Sequence, residues 1–367
     1  MKSGKVDKPF LIALLILIGF GLLMVFSASM YSATVENPDG NGYDLFLKQA
    51  LFVALGIGAM YLVSRIDYHL FDNKRLTFIL MGLSLVLLIL VLVVGVTVND
   101  AKRWISLGFT NFQPSELAKF AGILYLTSLI SREPEVLTNF KLFSIKCILP
   151  ILLLCGVTAI EPSLSAALAI GAGMFFVLFL GGARLKYFLP YIGLAALAVT
   201  GLMIAEPWRI ERLNVFLGKG GYDYQITQSL LAIGSGGIFG RGLGNGKQKL
   251  LFLPELQNDF IFANVGEELG LVGCLLLIGL FVYIIVRGYK IANTSKDRFG
   301  YLYTASTMSL LGFQVLVNIA VATNVLPVTG MALPFVSAGG SSMIVLFVMV
   351  GPILNLSRGF NKRKRRR

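Results

Sequence analysis

The sequence predicts an all-α polytopic membrane protein with about ten transmembrane helices and a large extracytoplasmic loop between the seventh and eighth helices. Two observations lead to this fold class. Of the 367 residues, 56% are hydrophobic and only 14% are charged, whereas ordinary soluble domains carry about 25% charged residues. Uncharged stretches of about 20 residues, enough to cross a bilayer as a helix, also recur along the chain. A soluble globular fold is therefore not expected.

Ten apolar runs bounded by charges, glycine, proline or asparagine are the predicted spans. They cover residues 10–31, 46–64, 76–98, 117–130, 144–160, 164–182, 187–205, 265–286, 301–323 and 341–356. The first run is expected to be a retained helix, because it is long and no cleavage-site pattern follows it. The fourth run is short, and it can extend back through 113–116 if those polar groups face protein or a water-filled cavity.

Lysine and arginine are distributed unevenly about these spans. If the N-terminus is inside the cell, the cytoplasmic segments hold 22 of the 32 basic residues and 6 of the 19 acidic ones. The positive-inside rule then predicts a cytoplasmic N-terminal segment 1–8, a membrane domain 9–356 and a cytoplasmic basic tail 357–367. The tail is expected to contact anionic lipid headgroups, and nucleic-acid binding is not expected.

Two segments on the predicted outer side are irregular. Residues 206–264 form one long loop, and long loops in compact proteins are usually functional or disordered. Its apolar runs and its glycine cluster at 234–246 predict that it folds on or into the outer face of the membrane. Residues 324–342 contain too many prolines and glycines to continue the ninth helix. Because irregular backbone at membrane depth is tolerated only inside protein or along a cavity, we expect a cavity-lining loop there.

Several catalytic classes are excluded by the residues available. The only histidine, His69, falls in a predicted cytoplasmic loop, so a histidine triad or an HExxH zinc site is impossible on the outer side. The run ending in Gly246-Lys247 is not a P-loop, because Arg241 and Gln248 replace the required glycine and hydroxyl residue. The three cysteines lie in apolar segments and are expected to fill the core. Carboxylates and cations remain as the candidate chemical groups.

Asp259 is the candidate acid or base at the membrane boundary. Burial between Pro254 and the apolar run 260–262 would raise the pKa of an aspartate from about 3.9 towards the range of a general base. The alternative role of Asp259 is to cap the following helix. Glu116 and Lys119 are three residues apart and share a helix face. They form either an internal salt bridge or the floor of a polar cavity, and the two roles are compatible.

Arg209 and Arg212 follow Trp208 on one predicted helical turn. Because the planar guanidinium suits phosphate oxygens, this pair either binds an anionic lipid headgroup or anchors a helix end. Two irregular segments and a cationic pair thus converge on one side of the membrane. This pattern is typical of a site for a lipid-linked anionic substrate.

Several motifs resemble those of the SEDS family of shape, elongation, division and sporulation proteins, in the right order over nearly the whole chain. They are QPSE at 113–116, GLGNGKQK at 242–249, LPE at 253–255, NDFIF at 258–262, GEELG at 266–270, and PVTG at 327–330 with its continuation to 342. The lysine-containing run before 253–255 is most similar to the division and sporulation members. The resemblance implies a ten-helix glycosyltransferase of the bacterial cytoplasmic membrane that polymerises lipid II into peptidoglycan strands for septal wall synthesis. It also implies a class B penicillin-binding protein and other division or sporulation proteins as partners.

The resemblance implies roles for individual residues. Asp259 falls on the essential aspartate of the family, Glu116 and Lys119 on its polar cavity residues, and Trp104 on its outer-loop tryptophan. Other residues expected to bind substrate are Arg209, Arg212, Lys247, Lys249, Ser337 and Ser341. A divalent cation, Mg²⁺ or Mn²⁺, is the expected cofactor. Asp259 is then either the general base or a ligand of that metal.

One position departs from the family pattern. Many members have an aspartate after a proline at the start of the sixth helix, where this chain has Ser163. The role of that aspartate is therefore either lost here or taken by Glu161. A milder change places Asn258 where a hydroxyl residue is common.

Two rival functions use the same fold. A lipid II flippase would place its ionisable groups along a path between the leaflets, and the step from Glu116 to Lys119 is the only candidate for such a path. A non-catalytic division scaffold would pack its spans against a partner through small residues such as Gly171 and Gly173. The cluster of polar groups at the outer face favours the enzyme over both rivals.

Overall fold

The computed structural model describes residues 5–36, 42–98, 101–108, 110–161, 163–205, 210, 214, 216–219 and 223–364. Its main helices are α1 (Lys8–Glu36), α2 (Asp44–Arg65), α3 (Lys74–Val94), α4 (Pro114–Arg132), α5 (Phe140–Ile160), α6 (Leu164–Leu180), α7 (Leu189–Ala205), α8 (Tyr224–Gly236), α9 (Ile261–Ala292), α10 (Arg298–Ala322) and α11 (Gly340–Lys364). Its strands are β1 (Val96–Val98), β2 (Ala101–Ser106) and β3 (Asn111–Phe112). Helices therefore dominate the described part of the chain.

Every predicted span corresponds to a helix. Among the described residues, seven helices are long and apolar enough to cross a membrane by themselves, namely α1, α2, α3, α5, α9, α10 and α11. The fourth span does extend back as expected, because α4 starts at Pro114 and carries Glu116 in its first turn. Proline is favoured there, since the first helical position needs no N–H donor. The prediction of an all-α multi-pass membrane protein is confirmed.

The helices form a buried centre and an apolar periphery. Most side chains of α4 and α10 are buried, and both helices pack against α6 and against each other. By contrast, α7 exposes large apolar side chains such as Ile192, Leu197 and Ile204. Such faces suit contact with lipid chains rather than water. The polar residues on α4 are therefore held in the middle of the helix bundle.

A small antiparallel sheet connects α3 to α4. Val96 pairs with Trp104, and Ile105 pairs with Phe112. No strand was predicted here, and the third span was expected to continue to residue 98, whereas α3 ends at Val94. The apolar β1 is only three residues long, so its composition is indistinguishable from that of a helix end. The sheet places Trp104 next to the start of α4.

The described part of the long outer segment is folded against α9. Asp223 caps α8 by accepting a hydrogen bond from the backbone N–H of Ile226 at 3.1 Å. At the other end of α8, a Cβ on Gly236 would lie 1.9 Å from the carbonyl oxygen of Gly266. Only glycine allows this close approach of the two helices. After α8 the chain continues through turns to Phe260, the N-cap residue of α9.

Candidate functional site

A polar cavity of about 690 Å³ lies between α4, the sheet, the turn before α9 and the segment that joins α10 to α11. This volume is in the range of small-molecule sites. Of the residues predicted to form the site, the cavity is lined by Trp104, Glu116, Lys119, Asp259, Ser337 and Ser341. The cavity thus brings together residues that are more than 230 positions apart in the sequence. The prediction that the segment after α10 is irregular and lines a cavity is confirmed.

A tight turn positions Asp259. The backbone N–H groups of Asn258 and Asp259 both donate to the carbonyl oxygen of Glu255 at 3.0 Å. Glu255 has a positive φ of 54°, and its carboxylate accepts a hydrogen bond from the Asn258 amide at 2.5 Å. Phe260, rather than Asp259, occupies the N-cap position of α9. The geometry therefore favours a role in the cavity for Asp259 over the alternative role of a helix cap.

The segment after α10 passes directly against Asp259. Gly330 has a positive φ of 68°, and a Cβ on Gly330 would lie 3.4 Å from Oδ2 of Asp259. Glycine adopts this left-handed conformation at little cost. Gly330 thus brings the opposite wall of the cavity into contact distance of the carboxylate.

Glu116 and Lys119 form a buried ion pair in the cavity wall. Nζ of Lys119 lies 2.7 Å from Oε2 of Glu116, and only 2% of the Lys119 side chain is exposed. A buried ammonium group is stable only with a partner, and the pair also lines the cavity. Both roles predicted for this pair, the salt bridge and the cavity wall, are therefore present together.

Arg103 is a cavity residue that the predicted site set omitted. It lines the cavity beside Trp104, and its guanidinium carbon is 6.0 Å from the centre of the Trp104 ring. The signal that could have found it is its position directly before Trp104 in an outer loop that leads into α4. The cations chosen instead, Arg209 and Arg212, lie outside the described residues.

Lys247 and Lys249 do not line the cavity. Nζ of Lys249 lies 3.0 Å from Oε1 of the fully buried Glu268, whereas the Lys247 side chain is exposed. The backbone N–H of Lys247 donates to Glu267 at 2.7 Å. These contacts attach the glycine-rich segment to α9, and a role of the two lysines in substrate binding stays a prediction.

The two predicted serines use their hydroxyl groups to hold the backbone of the cavity wall. Ser337 Oγ donates to the carbonyl oxygen of Asn258 at 2.5 Å and accepts from the N–H of Leu333 at 2.8 Å. Ser341 Oγ donates to Asn111 and accepts from the N–H of Gln113. Ser337 therefore joins the segment before α11 to the turn that carries Asp259, and Ser341 joins the first turn of α11 to β3 and the start of α4.

Glu161 and Ser163 lie between the end of α5 and the start of α6. Ser163 lines the cavity, whereas Glu161 is fully buried. Neither carboxylate oxygen of Glu161 has a hydrogen-bond partner in the part of the chain that the structure describes. Burial raises the pKa of Glu161 to about 8, and the positive charge of Arg103 opposes this shift. At the position of the departure from the family pattern, the residue that lines the cavity is thus Ser163, whereas Glu161 is buried and does not line it.

The carboxylates that line the cavity are the candidate donors for a metal ion. In the described ranges, no group of three or more His, Cys, Asp or Glu residues is placed to hold a metal ion. Asp259 and Glu255 do line the same cavity. Magnesium is commonly held by one or two carboxylates together with substrate phosphates. Carboxylate donors match the chemistry of a divalent cation that a phosphorylated substrate helps to bind, and such a cation stays a prediction.

Comparison with known proteins identifies the family. The profile of a family described as "Cell cycle protein", which covers FtsW, RodA and SpoVE, matches residues 8–362. The chain belongs to this family. It is 40% identical over 364 residues to a protein named "Probable peptidoglycan glycosyltransferase FtsW" from Coxiella burnetii, with 97% of each chain covered. It is 35% identical to "Stage V sporulation protein E" of Bacillus subtilis, over 97% of this chain and 98% of that protein.

Solved structures share the fold of this family member. One is a chain from a study described as "Structural coordination of polymerization and crosslinking by a peptidoglycan synthase complex". It aligns with a TM-score of 0.78 at 28% identity and covers 96% of this chain and 98% of that chain. The crystal structure of Thermus thermophilus RodA aligns with a TM-score of 0.70 at 30% identity, over 96% and 97% of the two chains. The resemblance to the SEDS family, which these proteins make up, is confirmed.

Proposed function

We propose that this protein is a glycosyltransferase that polymerises lipid II into β-1,4-linked glycan strands for division or sporulation septa. The observation that carries this proposal is the placement of Asp259 in one cavity with the buried ammonium of Lys119 and the guanidinium of Arg103. A base and cations in a single polar site are what transfer from a pyrophosphate donor requires. The name of the Coxiella burnetii relative supports the same reaction.

The reaction is a single inverting displacement. The donor sugar is α-linked to undecaprenyl pyrophosphate, and the product linkage is β. The acceptor hydroxyl oxygen forms the new bond to the anomeric carbon, while the bond from that carbon to the pyrophosphate oxygen breaks. The electron pair of the broken bond leaves with the pyrophosphate, and the hydroxyl proton passes to the carboxylate of Asp259.

Cations on the cavity wall stabilise the leaving group. Arg103 offers a planar set of donors that matches phosphate oxygens, and Lys119 adds a point charge held by Glu116. The ring of Trp104 offers an apolar face to the sugars. In its alternative role as a metal ligand, Asp259 would hold a divalent cation together with Glu255, and that cation would neutralise pyrophosphate charge when bound.

The partner and the orientation complete the proposal. A class B penicillin-binding protein is the proposed transpeptidase partner, supported by the synthase complex among the similar structures. Both termini lie in the cytoplasm, so that the cavity faces outwards, and the basic tail contacts anionic lipid. Cysteine accessibility labelling in intact cells tests this orientation, with single-cysteine variants at the two termini and in the outer loops.

Polymerisation of lipid II by the purified protein with its class B partner tests the function. Wild type, Asp259→Asn and Glu135→Gln are compared with and without Mg²⁺ or Mn²⁺. Glu135 is an exposed carboxylate in the turn after α4, so its variant controls for loss of a surface charge. We expect chains from wild type and Glu135→Gln and none from folded Asp259→Asn.

Two outcomes contradict the proposal in different ways. Wild-type activity in Asp259→Asn would mean that Asp259 is not the base. If wild type makes no chains but moves lipid II across vesicle membranes, the flippase function replaces the enzyme. Loss of activity on addition of EDTA, restored by Mg²⁺ or Mn²⁺, supports the divalent cation.

A further inference from the structure

Asn318 on α10 connects two walls of the cavity with one amide group. Its Nδ2 donates to the carbonyl oxygen of Asp259 at 2.8 Å and to that of Met331 at 2.8 Å. The residue is 1% exposed and does not line the cavity. Asn318 therefore contacts the backbone on both sides of the site from behind, without facing the space that substrate would occupy.

We propose that Asn318 is a positioning residue that fixes the Asp259 carboxylate against Gly330 and the cavity. This inference rests on the proposed function, because it concerns the placement of the proposed base. Asp259 and Met331 belong to irregular segments, whereas Asn318 belongs to the well-packed α10. The amide thus holds the turn that carries Asp259 at a fixed position relative to α10.

The chemistry of the two contacts requires an amide nitrogen. Both partners are carbonyl oxygens, which only accept hydrogen bonds, and a primary amide nitrogen supplies two donors. A hydroxyl group supplies one donor, and a carboxylate supplies none. Buried carbonyl groups without a donor are costly. Among the small side chains, asparagine is therefore the one that satisfies both segments at once.

The neighbouring carbonyl groups are held by other residues. Ser337 Oγ donates to the carbonyl oxygen of Asn258, and the N–H of Ala338 donates to that of Gln257 at 2.9 Å. The carbonyl groups of residues 257, 258 and 259 thus all accept hydrogen bonds. Of these three, that of Asp259 is the one bonded to a residue of α10. Loss of the Asn318 amide leaves the other two bonds in place. We therefore expect the turn to shift rather than to unfold.

Asn264 on α9 provides a matched control. It is also a fully buried asparagine, and its side-chain N and O have no hydrogen-bond partner within the described residues. Asn264→Ala therefore removes a buried amide of the same size that holds neither wall of the cavity. Asn318→Ala removes the two bonds described above.

The test measures kcat and KM for lipid II polymerisation, together with the thermal midpoint, for both alanine variants and Asp259→Asn. We expect kcat of Asn318→Ala to fall about tenfold or more, which corresponds to about 1.4 kcal/mol in the barrier, with KM within about twofold of wild type. Asn264→Ala keeps wild-type kcat. Asn318→Asp, which turns a carboxylate towards two carbonyl oxygens, loses more activity than Asn318→Ala.

Asn318→Ser keeps the inference testable if the alanine variant does not fold. With one donor left, its kcat should lie between those of wild type and Asn318→Asp. Wild-type kcat per folded molecule in Asn318→Ala or Asn318→Ser, with Asp259→Asn inactive, overturns the positioning role and leaves the proposed function standing. Full activity in Asp259→Asn overturns both. Equal losses of kcat in Asn318→Ala and Asn264→Ala also overturn the positioning role.

Discussion

Oε1 of Glu268 on α9 accepts a hydrogen bond from Oγ of Ser27 on α1 at 2.7 Å. The same carboxylate binds Lys249 at 3.0 Å and the backbone N–H of Gly244 at 3.2 Å. A cluster of buried charge thus joins α1, α9 and the glycine-rich segment that leads to Asp259. Glu268 lies just before Gly270, where a φ of 67° and a ψ of −164° interrupt α9. The cluster therefore stabilises the kinked start of the helix that follows the proposed base.

Replacement of Lys249 by alanine should destabilise the protein far more than replacement of Lys247. Removal of one partner of a buried ion pair costs about 3–5 kcal/mol, because the other charge is left buried. The exposed Lys247 side chain should matter by no more than about 0.5 kcal/mol. Thermal unfolding of the two alanine variants in detergent measures the difference. Equal thermal midpoints would show that Lys249 does not stabilise the fold through Glu268.

Gly330→Ala should reduce polymerisation, because its Cβ would contact Oδ2 of Asp259 in a left-handed backbone conformation. Such a conformation costs a residue with a Cβ about 1–2 kcal/mol. Gly182→Ala is the matched control, since Gly182 has a φ of 87° but nothing lies within 4 Å of a Cβ built there. Both variants should lose similar stability, while only Gly330→Ala loses specific activity. The contact with Asp259 is unimportant if the two variants polymerise lipid II equally well.

Stability should fall as the pH rises, because of Glu161. Its pKa is raised from 4.5 in the reference state to about 8 by burial. Between these values the folded state binds more protons than the unfolded state, so the free energy of unfolding decreases with pH. Glu161→Gln should flatten this dependence and raise the thermal midpoint at pH 8 relative to wild type. Thermal unfolding from pH 5 to pH 9 measures this pH dependence of stability, with Glu135→Gln as the surface control. A wild-type slope in Glu161→Gln would contradict the prediction.

The sequence predicted the helices well because long apolar runs carry a strong signal. It also predicted that Glu116 and Lys119 share a face, since their spacing determines this within one helix. It could not predict that Arg103 lines the cavity or that Lys249 does not. Both placements depend on three-dimensional contacts rather than on spacing within one helix, such as the pairing of β1 with β2 and the ion pair of Lys249 with Glu268. Asn318 was missed for the same reason, because its partners are backbone carbonyl groups of residues 259 and 331.

The ion pair of Glu116 and Lys119 offers a way to separate stability from chemistry. Lys119→Met leaves the Glu116 carboxylate without its buried partner, so the thermal midpoint should fall. The double variant Glu116→Gln with Lys119→Met removes both charges and should recover most of that loss, since breaking a buried pair costs more than removing it.

Polymerisation distinguishes the two roles of the lysine. If the ammonium of Lys119 stabilises the leaving pyrophosphate, the double variant is stable but remains inactive. If the pair only holds α4 in place, polymerisation returns together with stability. We expect the first result, because Lys119 lines the cavity that also contains Asp259. Specific activity and the thermal midpoint are measured for wild type, Glu116→Gln, Lys119→Met and the double variant. Comparison of the two quantities decides between the two roles of Lys119.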